Sequence, residues 1–195
     1  MELIDAARDT RWEIPVLLSA TTGARRAEVL GIQWANVDLD RGRVRIVATM
    51  QDTPDGLALG PPKTPRAHRQ IPVPKFAVER LRAHRREQAA RRLALGPAWG
   101  GLDLVCEQGD GRPVSPGAYT KGFFRLAERA GFAGVRLHDL RHGVATALAK
   151  SGTPAGVTSK MLGHASVSFT IQTYDHPDEE MVDRAAQGLE EAFGA

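Results

Sequence analysis

Leu137-His138-Asp139-Leu140-Arg141-His142-Gly143-Val144-Ala145-Thr146-Ala147-Leu148 is the stretch on which the reading of this sequence turns. A helix opening here puts His138 and Arg141 three residues apart on one face. The N-terminus of a helix also offers free N–H groups and the positive end of its dipole to an anion. An imidazole and a guanidinium therefore flank a place where negative charge is welcome. His138 and His142 stand four apart, the spacing of a zinc-binding helix, but the metalloprotease form of that motif needs Glu after the first histidine, and Asp139 stands there. His142 reads as a packed, hydrogen-bonded neighbour of the site.

Downstream, Met161-Leu162-Gly163-His164 has a glycine suited to the left-handed conformation that ends a helix, which would send His164 off at a fixed angle. Ten residues on comes Tyr174, one of two tyrosines in the chain, followed by Asp175-His176-Pro177, where Pro177 keeps a preceding helix from running on. Toward the N-terminus, Thr22-Gly23-Ala24-Arg25-Arg26-Ala27-Glu28 sets Arg25 at a helix start with Glu28 three residues later to orient it. Lys63 follows Pro61-Pro62 on an expected β-hairpin.

The pattern predicts helices over 2–9, 12–21, from Arg25, over Lys75–Leu95, and at about 116–130, 138–150, 154–162 and 166–173. A further helical pattern at 178–193 aligns Val182, Ala185, Ala186, Leu189 and Phe193. Arg43–Thr49 alternates and is rich in β-branched residues, so it reads as a strand; Asp52–Pro62 reads as a Gly/Pro loop. Arg69–Val73 reads as a second strand of a small antiparallel sheet, kept to an edge by Pro72 and Pro74. Asp38-x-Asp40-x-Gly42 faintly echoes a calcium loop, but the other ligands are missing and a plain turn is the reading. The fold class is α+β, mainly α-helical, with one small sheet or hairpin in the N-terminal half.

At 195 residues and 42% apolar, the chain suits one globular domain with a real core. No apolar run approaches the ~18 residues of a membrane span, and Met1 leads into an amphipathic stretch with no signal-peptide core. The single cysteine, Cys106, excludes an internal disulfide framework and fits a reducing cytosol. The net charge of +3 hides an asymmetry. Residues 175–195 hold seven acids and one base, which leaves 25 bases against 16 acids, a net +9, in residues 1–174. A basic body points to a polyanionic partner. Six of the thirteen residues from Arg80 to Arg92 are arginine, read mainly as a solvated face.

Together these blocks resemble the catalytic domain of the tyrosine recombinases, the phage integrase family. TTGARRAEVLGIQWANVDL at 21–39, PPKTPRAHRQIPVP at 61–74, HDLRHGVATAL at 138–148 and LGHASVSFTIQTYDH at 162–176 come in that family's order and near its spacings. The resemblance implies a catalytic role for Arg25, Lys63, His138, Arg141 and His164, with Tyr174 as nucleophile, and supporting roles for Glu28 and His142. It implies site-specific recombination of double-stranded DNA through a 3′-phosphotyrosine intermediate, with no cofactor, metal or small-molecule substrate. The same residues would serve a topoisomerase IB-like or telomere-resolving enzyme, and a DNA-binding regulator that keeps the fold without cutting is the reading from another class. The expected organisation is a catalytic domain at 1–176 and an amphipathic tail at 177–195, without the family's N-terminal core-binding domain. That tail is expected either to pack on its own domain or to pack on a neighbouring protomer, where it would help self-association into a tetramer on DNA. The expected location is the bacterial cytoplasm, at the nucleoid, with a phage or mobile element as a possible source.

Overall fold

The computed structural model describes residues 1–62 and 67–163. Lys63, His164, Tyr174 and the helices expected at 166–173 and 178–193 lie outside the described residues. The described helices are α1 (Glu2–Ala7), α2 (Glu13–Thr22), α3 (Arg26–Leu30), α4 (Lys75–Leu95), α5 (Pro116–Arg129), α6 (Leu137–Lys150) and α7 (Ala155–Leu162). The strands are β1 (Val37–Asp38), β2 (Arg43–Ile46), β3 (Thr49–Thr53), β4 (Gly56–Gly60) and β5 (Arg69–Pro72). The mainly helical α+β class expected from the sequence is the one observed.

Helix α2 runs through the core. Ile14, Val16, Leu17, Leu18, Ser19 and Thr22 are all buried, so the helix is covered on nearly every side. Pro15 is tolerated because it stands in the first turn, where a backbone N–H lacks a partner in any case. Gly23 ends the helix with φ +61°, its N–H donating to the Ser19 carbonyl. A Cβ there would lie 2.5 Å from Leu162 Cδ2, so both the turn and the approach of α7 require glycine. Helix α5 packs with Tyr119, Phe123, Leu126 and Ala127, spaced as one helical face. Ser115 caps it by accepting from the Ala118 N–H at 3.0 Å.

The strands depart from the sequence reading in two places. The expected single sheet is two: an antiparallel sheet in the order β1-β2-β5, and a separate β3-β4 hairpin. The Asp52–Pro62 loop is therefore largely strand, with Thr49 paired to Gly60 and Thr53 to Gly56 around Pro54-Asp55. Its prolines and glycines bracket the strands, and cross-strand pairing decides the outcome over local propensity. The strand expected at Arg43–Thr49 stops at Ile46, and Thr49 begins the hairpin. Strand β5 is an edge, as Pro72 requires. The Asp38–Gly42 stretch is a turn, with Asp38 Oδ1 accepting from the Asp40 and Arg41 N–H groups.

Helix α4 buries a narrow and partly polar stripe of Ala77, Leu81, His84 and Gln88. The His84 ring nitrogen bonds the Val105 carbonyl at 2.8 Å, and Gln88 donates to the Leu104 carbonyl at 2.9 Å while accepting from the Trp34 indole. Five of the six arginines of α4 are tied down as well. Arg80 pairs with Glu13, Arg82 with Asp40, Arg91 with Glu107 and Arg92 with Asp103, while Arg85 lies over the Trp34 ring. The solvated-face reading of this helix is incomplete, because these side chains hold α4 to the rest of the fold.

Candidate active site

Arg25 stands immediately before α3, in extended conformation, with a half-exposed side chain. Its N–H donates to Glu28 Oε2 at 2.7 Å and its Nη1 to Glu28 Oε1 at 3.0 Å. Glu28, at the third helical position, thus caps the helix and steadies the guanidinium at once. Arg25 Nη2 donates to the Gly163 carbonyl at 3.0 Å, the carbonyl at the end of α7. Gly163 has φ +70°, the left-handed helix end expected from the sequence.

Arg141 lies in the second turn of α6 and is 4% exposed. Its Nη1 donates to the Gly23 carbonyl at 2.7 Å, two residues before Arg25. Arg141 therefore holds the turn that leads into Arg25, while Arg25 itself holds the turn that ends α7. His138 is exposed in the first turn of α6, where Asp139 accepts from the Arg136 N–H at 2.8 Å. The His142 ring meets His138 edge-on, with centroids 4.7 Å apart and planes at 84°. Partial burial, then His142, Arg141 and Arg136, hold the His138 imidazole below its ordinary value, with Asp139 opposing them. Its resting form at neutral pH is a proton acceptor.

The sequence reading passed over Arg69. Strand β5 turns Arg69 and Ile71 inward, and the side chain of Arg69 is 3% exposed. Its two Nη atoms reach both Glu28 oxygens, at 3.0 and 2.7 Å, and its Nε donates to the Met161 carbonyl at 2.7 Å. Nη1 also reaches the Ala67 carbonyl at 3.0 Å. A period of two applied to Arg69, Ile71 and Val73 would have shown an arginine in register with core residues, which demands a buried partner. Burial alone would raise the Glu28 carboxyl, but the Arg69 hydrogen bonds and charge, with Arg25 behind them, hold it below the usual carboxylate value.

A cavity of about 580 Å³ opens beside Arg25, Arg26 and Glu28. Pro62 and Ala67, the described residues on either side of Lys63, line it. The other tyrosine, Tyr119, is fully buried, stacked on Trp12 with its hydroxyl 2.9 Å from Ser19 Oγ. Burial raises its phenol above the ordinary range, and the Ser19 hydrogen bond offsets only part of this.

A sequence model described as the phage integrase family matches residues 1–181. The chain belongs to that family. It is 26% identical over 203 residues to a XerC-like tyrosine recombinase of Caldanaerobacter subterraneus, aligning 97% of this chain with 51% of the relative. It is 28% identical over 159 residues to the tyrosine recombinase XerC of Xylella fastidiosa, aligning 81% of this chain with 46% of that protein. The chain thus spans about half the length of the curated relatives it matches. Among solved structures, the Tn1549 transposon integrase in complex with transposon right-end DNA superposes with a TM-score of 0.76 at 18% identity, covering 100% of this chain and 63% of the other. XerA recombinase superposes at 0.70 with 22% identity, covering 96% and 61%. The fold is that of the tyrosine recombinase catalytic domain. Among the described residues, no helix is long and apolar enough to cross a membrane.

Arg69→Met should remove the main partner of a buried carboxylate and destabilise the protein by about 3–5 kcal/mol near pH 7. The sign with pH follows from Glu28. In the native protein its value is depressed, so its contribution is full above the unfolded carboxylate range, near pH 4.3, and is lost as pH falls through the depressed value. In the variant, burial acts without Arg69 and raises that value, so the carboxyl is neutralised at higher pH and its penalty fades first. Urea unfolding should therefore show a gap between the two proteins that narrows from pH 7 to pH 4. A gap that is constant or widens would contradict the pairing.

Proposed function

We propose that this chain is the catalytic part of a site-specific DNA recombinase, in which Tyr174 attacks a backbone phosphate. The observation that carries the reading is the pair of guanidiniums, Arg25 and Arg141, held about the Gly23 turn by Glu28 and backbone carbonyls, with His138 one helical turn before Arg141. Attack on a phosphodiester builds negative charge on the non-bridging oxygens. Fixed guanidinium forks match those oxygens in shape and charge, and they need no reorganisation as the charge develops.

In the proposed step the Tyr174 oxygen bonds to phosphorus as the bond from phosphorus to the 5′ oxygen breaks. The phenol proton passes to His138, which its surroundings keep neutral. Lys63 delivers a proton to the departing 5′ oxygen, and His164 donates a further hydrogen bond to the phosphate. The product is a 3′-phosphotyrosine ester and a free 5′ hydroxyl. The ester conserves the bond energy, so a second 5′ hydroxyl reverses the step and joins a new strand. The names of the relatives and the DNA-bound integrase neighbour support recombination as the outcome. The burial of Tyr119 supports Tyr174 as nucleophile, since a phenol packed under Trp12 cannot reach a phosphate.

Self-association through the 177–195 tail belongs to the same reading. A groove of about 840 Å³ runs between α1, α2 and α6, lined by Leu3, Ile4, Phe76, Val144 and Leu148 among others. It suits the apolar stripe of Val182, Ala185, Leu189 and Phe193 from a second copy. Chain cut after Pro177 should sediment as a monomer on nicked DNA under conditions in which the full chain assembles; equal assembly of the two would remove the tail from the interface.

Tyr174→Phe should abolish covalent attachment to a nicked suicide substrate while DNA binding persists, because the change alters no charge at neutral pH. Tyr119→Phe should still become attached. Attachment surviving in Tyr174→Phe would place the nucleophile elsewhere, and none in the native chain would favour a non-cutting DNA-binding protein.

His138 generates a pH prediction. Cleavage rate at sub-saturating DNA reports groups of the free enzyme. Since the imidazole lies below its ordinary value near 6.5, that rate should fall as pH drops, with the midpoint of the fall below about 6.5. The decline should be missing from the slower His138→Ala enzyme. An acid limb centred above pH 7, or one unchanged in His138→Ala, would remove His138 as the proton acceptor.

A further inference from the structure

We propose that Arg69 is a positioning residue for phosphate cleavage, acting through Glu28 on the guanidinium of Arg25. The inference rests on the cleavage reading above and extends it to a residue with no place among the six proposed catalytic groups. Arg25 and Arg69 share one carboxylate, and they share it unequally. The Glu28–Arg69 contact is bidentate and buried on both sides, whereas Arg25 keeps a half-exposed side chain and a single side-chain contact to Oε1.

Two consequences follow from this sharing. The first is electrostatic. Glu28 beside Arg25 alone would form a neutral pair and offer a phosphate little attraction. With Arg69 behind the carboxylate, the trio carries one net positive charge, and the exposed member of it is Arg25. The second is geometric. Arg69 Nε donates to the Met161 carbonyl, and its guanidinium lies under Gly163, where an added Cβ would come within 3.0 Å of Nη1. Arg25 donates to the Gly163 carbonyl at 3.0 Å. One buried fork thus fixes Glu28 and the end of α7, which are the two acceptors that orient Arg25. Lysine can supply the charge of Arg69 but not a planar fork reaching several acceptors in fixed directions.

The test is a double-mutant cycle between Arg69→Lys and Arg25→Lys in the full chain. Covalent attachment to a nicked suicide duplex is followed at saturating DNA, well below the melting temperature of each variant. Arg69→Lys should lower the cleavage rate by roughly 10–100-fold, as expected for a misplaced catalytic group, with little change in DNA affinity. In the Arg25→Lys background the same substitution should cost little further rate, because the group it positions is already gone, while its effect on melting temperature should be the same in both backgrounds. Glu28→Gln placed on top of Arg69→Met should recover part of the cleavage lost in Arg69→Met, since it removes the carboxylate left to neutralise Arg25.

Rate losses that multiply independently in the double variant would reduce Arg69 to a structural residue and overturn the proposal. So would an Arg69→Lys enzyme that cleaves at the native rate. Absence of attachment by the native chain would sink the cleavage reading, and this proposal with it. An active native enzyme with independent losses would sink this proposal alone.

Discussion

Glu28 and Arg69 are buried together, and neither could be buried alone without a large desolvation penalty. A well-packed apolar pair of the same volume would be about as stable or more so. What the ion pair supplies instead is direction. Glu28 is fixed on α3, Arg69 on β5, and the fork ends on the last turn of α7, so elements far apart in sequence meet at one point. The bond between residues 28 and 69 is also what leaves Arg25 only half engaged. The half-exposed arginine shares its carboxylate with a pair almost sealed from solvent.

A second constraint works through two glycines. Gly23 ends α2 and Gly163 ends α7, each in the left-handed conformation and each with its carbonyl turned to a guanidinium. Arg141 takes the first carbonyl and Arg25 the second. Helix ends leave carbonyls without intrahelical partners, and here those orphan groups become the supports of the site. The arrangement is reciprocal. The turn that precedes Arg25 in sequence holds Arg141, and the turn that ends α7 holds Arg25. The two helix ends also pack closely, since a Cβ added at Gly23 would lie 2.5 Å from Leu162 Cδ2.

Much of this was legible in the sequence, for reasons that differ from place to place. The long helices were read from apolar periodicity, and their ends from Gly23 and Gly163, because both signals are local. Arg25 and Glu28 are three residues apart, so a helix start alone brings them together. The β3-β4 hairpin was not legible, because Thr49–Thr53 and Gly56–Gly60 are weak strand formers that gain order only by pairing with each other. Arg69 was missed because a charged residue in a short strand reads as surface unless the alternation of Ile71 and Val73 is extended back to it. Its partners at Glu28 and Met161 are 41 and 92 residues away, beyond any local rule.

The sequence offered a net +9 body and an arginine-rich helix as one signal, but they differ physically. Four arginines of α4 end on Glu13, Asp40, Asp103 and Glu107, acids drawn from other parts of the fold. A phosphate approaching α4 must compete with carboxylates already in place, two of which, Glu13 and Glu107, are largely shielded from water. A phosphate approaching Arg25 meets a different case, since Arg25's carboxylate partner among the described residues, Glu28, is shared with Arg69. Attraction for a polyanion depends on which guanidiniums are left undercompensated at the surface, more than on how many a segment contains. On that criterion most of the arginine-rich helix is a brace, whereas Arg25, at the start of α3, keeps residual positive charge because Glu28 is shared with Arg69.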